Sequence, residues 1–196
     1  MKEMIQMVVV LTILSVISGG SLAFIQTKTA DSIENNKLEF IKGPAIKTIL
    51  EGSSNNPITD RFKIKTDETE HTFFVGVFDG KPNAVCFESS GKGFGGDVGM
   101  VVGVNLDTDK IIGVGVTTHS ETPGVGSRAK TDPKFVSQFK GQPIEETFKV
   151  KSDGGQVDAI SGATITSRAV SAGLTDAGKL YKELKPQIVD KAKSLK

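Results

Sequence analysis

The sequence holds no tryptophan, one tyrosine, one cysteine and two histidines in 196 residues. A lone Cys86 cannot close an internal disulfide. It sits in the apolar run A-V-C-F, where cysteine behaves as a small core residue rather than an exposed nucleophile. His71, Cys86 and His119 are far apart along the chain, so no metal-ligand spacing is present and no metal site is expected. Neither sign of charge is in excess. The 24 Lys and Arg against 23 Asp and Glu leave a net charge of +1, which argues against nucleic acid as a partner. Internal repeats and low-complexity tracts are also missing. With tryptophan absent, the core must rest on Val, Ile and the 11 Phe. A domain of this size can bury such a core without a disulfide or metal staple.

What is present begins with an uncharged run, Met4 to Ile25. About 20 apolar residues cross a hydrocarbon core of roughly 30 Å as a helix, so the run reads as a single-pass transmembrane anchor. A cleaved signal peptide is the competing reading, with Lys2 as its charged start, Val8 to Ile17 as its apolar stretch and Ser21-Leu22-Ala23 as the cleavage site. The apolar character continues through Phe24 and Ile25, beyond that site, which favours retention. Both readings place the main domain on the periplasmic or extracytoplasmic side of the cell inner (cytoplasmic) membrane. Lys28, Lys37 and Lys42 follow the run and point the other way, but long domains translocate largely regardless of such charges.

The expected organisation is an anchor over residues 1–27, a helical linker over 28–57 and an extracytoplasmic domain over 58–196. The linker should be interrupted near Gly43-Pro44, because proline removes a helical hydrogen bond, and G-S-S-N-N-P at 52–57 should end it. Alternation predicts strands over Arg61–Thr66, His71–Phe78, Ala84–Glu88, Asp97–Leu106 and Lys110–Thr118, with a further strand over Thr147–Val150. Asp79-Gly80 is a hairpin turn, and Asp107-Thr108-Asp109 closes a second hairpin. Asp132–Phe139 reads as a short helix with Asp132 as cap and Pro133 at its first position. Val170, Leu174, Ala177, Tyr181 and Leu184 form the apolar stripe of a terminal helix. Strands followed by a helix give an α+β class, an antiparallel sheet with packed helices, preceded by one transmembrane helix.

Three stretches carry candidate chemistry. Gly91-Lys-Gly93-Phe-Gly95-Gly96 matches G-x-G-x-x-G formally. A dinucleotide fingerprint needs a helix after it, however, and the strand-like V-G-M-V-V-G-V-N follows instead. It reads as a flexible turn, with the lining of a ligand site as the alternative. His119-Ser-Glu-Thr-Pro-Gly-Val-Gly126 projects from a sheet end as a tight loop. His119 beside Ser120 and Glu121 is too little for a catalytic set, and no catalytic residue is assigned. The third stretch, D-A-I-S-G-A-T-I-T-S-R at 158–168, crowds Thr164, Thr166 and Ser167 together with nothing apolar expected to build core. Thr164 falls at the start of the terminal helix, where free N–H groups and the helix dipole favour a phosphate. Gly162 and Ala163 leave clearance, and Arg168, one turn on, can meet an anion. A plain N-cap is the alternative, though a cap needs only one hydroxyl.

Asp158-Ala-Ile-Ser161-Gly162-Ala163-Thr164 resembles the flavinylation motif D-x-x-S/T-G-A-T of FMN-binding domains, and H-S-E-T-P-G-V-G is similar to that family's E-T-P-G loop. Val125 stands where members often carry Leu. The resemblance covers essentially the whole chain and is greatest to G subunits of Rnf ion-translocating electron transport complexes. C subunits of sodium-pumping NADH:quinone reductases share the motif but are usually longer. The resemblance implies covalent FMN, joined as a phosphoester to Thr164 by a flavin transferase that takes FMN from FAD. It implies an electron carrier among other membrane subunits of a redox complex rather than a stand-alone enzyme. In that reading Ser161, Gly162, Ala163, Ile165 and Thr166 cradle the phosphate, and Glu121, Thr122, Pro123 and Gly124 pack near the ring. Asp158 repels a phosphate and is read as docking the transferase or orienting the turn. A non-redox extracytoplasmic domain holding a loose flavin or anion is the other reading.

Overall fold

The structure is a computed structural model describing residues 1–66 and 69–194, the side chains of Asp31, Glu34 and Asn35 excepted. The chain divides into two compact units, Met1–Phe40 and Ile41–Lys196. In the first, helix α1 runs from Lys2 to Lys37, and its Lys2–Ala30 part is long and apolar enough to cross a membrane. Its large apolar side chains, from Met4 to Ile25, are exposed.

A π-helical turn at Leu38–Lys42 precedes α2, Gly43–Ile49. The expected interruption at Gly43-Pro44 is therefore a helix start. Pro44 occupies the first turn of α2, where its missing N–H has no partner to lose. Residues 41–57, read from sequence as linker, group with the second unit. Ile46 and Leu50 are buried, and the Asn55 side chain bonds the Val75 carbonyl and the Val77 N–H at 2.9 Å each.

The second unit is built on five antiparallel strands in sequence order: β1 Arg61–Lys65, β2 Glu70–Phe78, β3 Lys81–Lys92, β4 Asp97–Asn105 and β5 Lys110–Thr118. Asp79 (φ 52°) and Gly80 (φ 72°) make the β2–β3 hairpin, since both central positions of that turn need positive φ. Asn105 Oδ1 accepts from the N–H groups of Asp107 and Thr108 at 3.0 Å each and shapes the β4–β5 turn. Alternation gives the sheet two apolar faces. One carries Phe73, Val85, Phe87, Met100 and Val102 against α5, Thr164–Ser194. The α5 stripe Val170, Leu174, Ala177, Tyr181 and Leu184 is buried as its spacing predicts. The other face is lined by glycines where α2 approaches. A Cβ on Gly113 would stand 3.2 Å from Ile49, and one on Gly115 would stand 3.0 Å from Ala45. Cys86 is fully buried and desolvation pushes its thiol pKa well up, in keeping with a core role.

After β5 come α3, Arg128–Thr131, and α4, Pro133–Ser137, with the Asp132 side chain accepting from Lys134 N–H at 3.0 Å. Thr147–Val150 is not a sheet strand. Phe148 N–H donates to Thr175 Oγ1 on α5 at 2.9 Å, and Val150 makes only an isolated parallel bridge to Val157. The β-forming side chains Phe148 and Val150 are buried against the core without joining the ladder.

Candidate functional site

The β3–β4 loop, the loop after β5 and the start of α5 meet around a cleft of about 360 Å³. Phe94 comes from the first loop; Glu121, Thr122, Val125 and Gly126 come from the second; residues 162–166 complete the wall. The turn into α5 is made by Ala163 N–H bonding Ile160 O at 2.9 Å and by Gly162 at φ 79°, a left-handed conformation that suits glycine. Contrary to expectation, this stretch does contribute to the core: Ile160 and Ala163 are both buried.

The crowded hydroxyls separate by role. Ser167 is fully buried. It accepts from Ile160 N–H at 2.9 Å and donates to Ala163 O at 3.0 Å, tying the turn to the helix. Thr166 is buried and donates to Glu121 Oε2. Thr164 is half-buried in the cleft wall as the first residue of α5, and its hydroxyl has no hydrogen bond among the described residues. Ser161 is exposed and lies outside the cleft lining. Pro123 and Gly124 also lie outside it. They shape the turn instead, Gly124 with φ 74° and its N–H bonded to Ser127 Oγ at 2.8 Å.

Arg168 does not face the cleft. Its guanidinium grips Asp153 through two bonds of 2.6 Å, which holds the Asp153 carboxyl below its usual range. Asp158 pairs with Lys151 at 2.7 Å, while its backbone N–H and C=O bond the Gln138 amide at 2.7 and 3.2 Å. His119 is outside the cleft lining, with its Nδ1 buried and unpartnered among the described residues. Burial raises the pKa of Glu121, but hydrogen bonds from Thr166, Gly95 and Phe94 and the nearby His119 outweigh it and hold the carboxyl below its ordinary value.

Sequence reasoning left out Phe94, Val125 and Gly126 as site residues. Phe94 had a signal. It is an aromatic set between glycines, and 74% of its surface is exposed, beside Ile165 at 45% and Val125 at 40%. Exposed apolar side chains gathered around a concave site mark a ligand wall. Apolar walls and an accessible hydroxyl at a helix N-terminus fit a flat aromatic cofactor with a phosphate tail, the donor set FMN requires.

Residues 93–179 match the FMN-binding domain family. The G subunit of the ion-translocating oxidoreductase complex of Methanosarcina acetivorans is 34% identical over 179 residues, covering 90% of this chain and 93% of its own. The G subunit of the same complex from Vibrio cholerae is 28% identical over 191 residues, covering 91% and 90%. The crystal structure of the C subunit of the Na+-translocating NADH-quinone reductase of Parabacteroides distasonis superposes with a TM-score of 0.52. It is 32% identical and covers 60% of this chain and 64% of that one. NqrC of Shewanella oneidensis superposes equally, with a TM-score of 0.52, 27% identity and coverage of 69% and 71%. With an FMN-binding domain matched over residues 93–179, the chain belongs to the family of G subunits of ion-translocating oxidoreductase complexes.

Proposed function

We propose that the protein is a membrane-anchored flavoprotein subunit that carries FMN on Thr164 and passes electrons within an Rnf-type ion-translocating ferredoxin:NAD oxidoreductase complex. The observation that supports the attachment point is access. Of the hydroxyls at the α5 start, Thr166 and Ser167 are buried and bonded, Ser161 lies off the cleft, and Thr164 stands in its wall with no bond among the described residues. A flavin transferase using FAD completes the chemistry. The Thr164 oxygen forms the new P–O bond, the pyrophosphate P–O bond breaks, AMP leaves with that electron pair, and the hydroxyl proton is released. FMN supplies one- and two-electron transfer when bound; the chain's residues hold and shield it. The free N–H groups of the first α5 turn receive the phosphate, Gly162 and Ala163 give clearance, and Phe94, Val125 and Ile165 offer apolar contact to the ring.

Complex membership rests on relatives that match about nine-tenths of both chains and are named as G subunits. The structural neighbours named as C subunits of a quinone reductase motivate the second reading, a place in a sodium-translocating NADH:quinone reductase. In either reading the domain lies on the extracytoplasmic side of the inner membrane, and α1, whose Lys2–Ala30 part is long and apolar enough to cross a membrane, is its anchor.

The attachment is tested by flavin fluorescence in a denaturing gel, on full chain made together with a flavin transferase. The wild-type band should fluoresce, Thr164→Ser should retain part of the signal, and Thr164→Ala should be dark. A dark wild-type band, with flavin released on denaturation, leaves instead a domain that binds its flavin or another anion loosely.

A further inference from the structure

The Glu121 carboxylate lies beside the cleft with both oxygens engaged. Oε1 accepts from Gly95 N–H at 2.8 Å, and Oε2 accepts from Thr166 Oγ1. The residue is only 6% exposed. Glycines surround it. A Cβ on Gly93 would stand 2.5 Å from Oε1, and one on Gly126 would stand 2.7 Å from Glu121 Cβ and 2.8 Å from Thr166 Oγ1. A Cβ on Gly95 would collide with the Ser120 carbonyl oxygen. Gly93 and Gly126 thus leave room for a carboxylate that belongs to the chain, and Gly95 leaves room for the backbone beside it.

We propose that Glu121 is a positioning residue that ties the 93–96 loop to the first turn of α5, so that Phe94 and Thr164 are held as walls of one cleft. The two residues it joins come from 26 positions before it and 45 after it. The β3–β4 ladder closes the 93–96 loop, with Gly93 N–H on Gly96 O at 2.9 Å, and the buried carboxylate adds charge-assisted bonds that join that loop to α5. Glu121 therefore acts on the bound group through Phe94 and α5, which its carboxylate holds in place. The inference rests on the flavin reading only for what the cleft holds; the tie itself is a property of the chain without flavin.

Hydrogen exchange read by mass spectrometry on the full chain in detergent, free of flavin, tests the tie. Losing a charge-assisted bond should raise local opening, and hence exchange of segment 93–96, roughly tenfold in Glu121→Ala, while β2 and β3 exchange as in wild type. Thr166→Val should raise the same segment by less, and Thr166→Ser, which keeps the donor, should restore it. Unchanged exchange at 93–96 in Glu121→Ala overturns the proposal, as does acceleration of all segments together. Should Glu121→Ala fail to fold, unchanged exchange in Thr166→Val overturns the tie to α5 on its own. Failure of flavin attachment would leave these results intact, so the two readings fail separately.

Discussion

The two ends of α5 are fastened to the sheet by different chemistry. Near Thr164 the fastening is polar and buried: Thr166 to Glu121, and Ser167 to the Ile160 N–H. Ile165 there faces outward, 45% exposed. Further along, the fastening is apolar. Tyr181 is fully buried, its ring 6.4 Å from Phe87 and nearly parallel to it. Its hydroxyl bonds Asp109 at 2.7 Å, and Lys185 reaches the same carboxylate at 2.6 Å. The difference teaches how one helix serves two ends. The distal end takes the hydrophobic stabilisation, which leaves the proximal end able to keep a hydroxyl free and apolar surface open. Polar ties hold position there without filling the cleft.

The largest effect should come from the distal end. Tyr181→Ala removes a buried aromatic ring and should cost about 3–5 kcal/mol in denaturant unfolding of the full chain. Tyr181→Phe keeps the ring and loses the bond to Asp109, at about 1 kcal/mol. Next is Gly91→Ala. A Cβ at Gly91 would collide with the Ala169 carbonyl oxygen, so α5 must shift where it leaves the cleft. We expect a loss of about 1–3 kcal/mol from overpacking, together with weaker flavin loading at Thr164 measured by gel fluorescence.

Acid should strain both ends. Asp109 is raised by burial but held below its ordinary 3.8 by Lys185 and Tyr181, and Glu121 is held below its ordinary 4.5. A depressed carboxylate contributes stability that is fully present above the ordinary value and lost as pH falls through the lower folded one. Unfolding free energy should therefore be flat near neutral pH and fall below about the ordinary carboxylate range. Glu121→Gln should flatten that fall. The smallest effect belongs to Arg168→Ala. The pair with Asp153 is exposed, and thermal unfolding should not change measurably.

The sheet was legible where local rules suffice. Alternation marked the five strands, Asp79-Gly80 announced a left-handed turn, and spacing marked the α5 stripe. Thr147–Val150 misled because its β-forming residues answer to α5 through Thr175, a partner 27 residues away. At the site, the start of α5 and Thr164 could be read from the turn residues and the motif. Glu121 and Thr166 are both legible as site residues, yet their bond and the one from Gly95 are not, since the three meet only in three dimensions. Gly93 and Gly95 read as a flexible turn or as the lining of a ligand site, because glycine reports that space is needed and not what fills it. Ile160 hid its core role in a stretch that reads as polar.

The most direct test of the central claim is the intact mass of the full chain produced with a flavin transferase. The expected mass is that of a chain heavier by one FMN less one water, with the increment kept in Thr164→Ser and lost in Thr164→Ala. An unmodified wild-type mass, or an increment that survives Thr164→Ala, would contradict it.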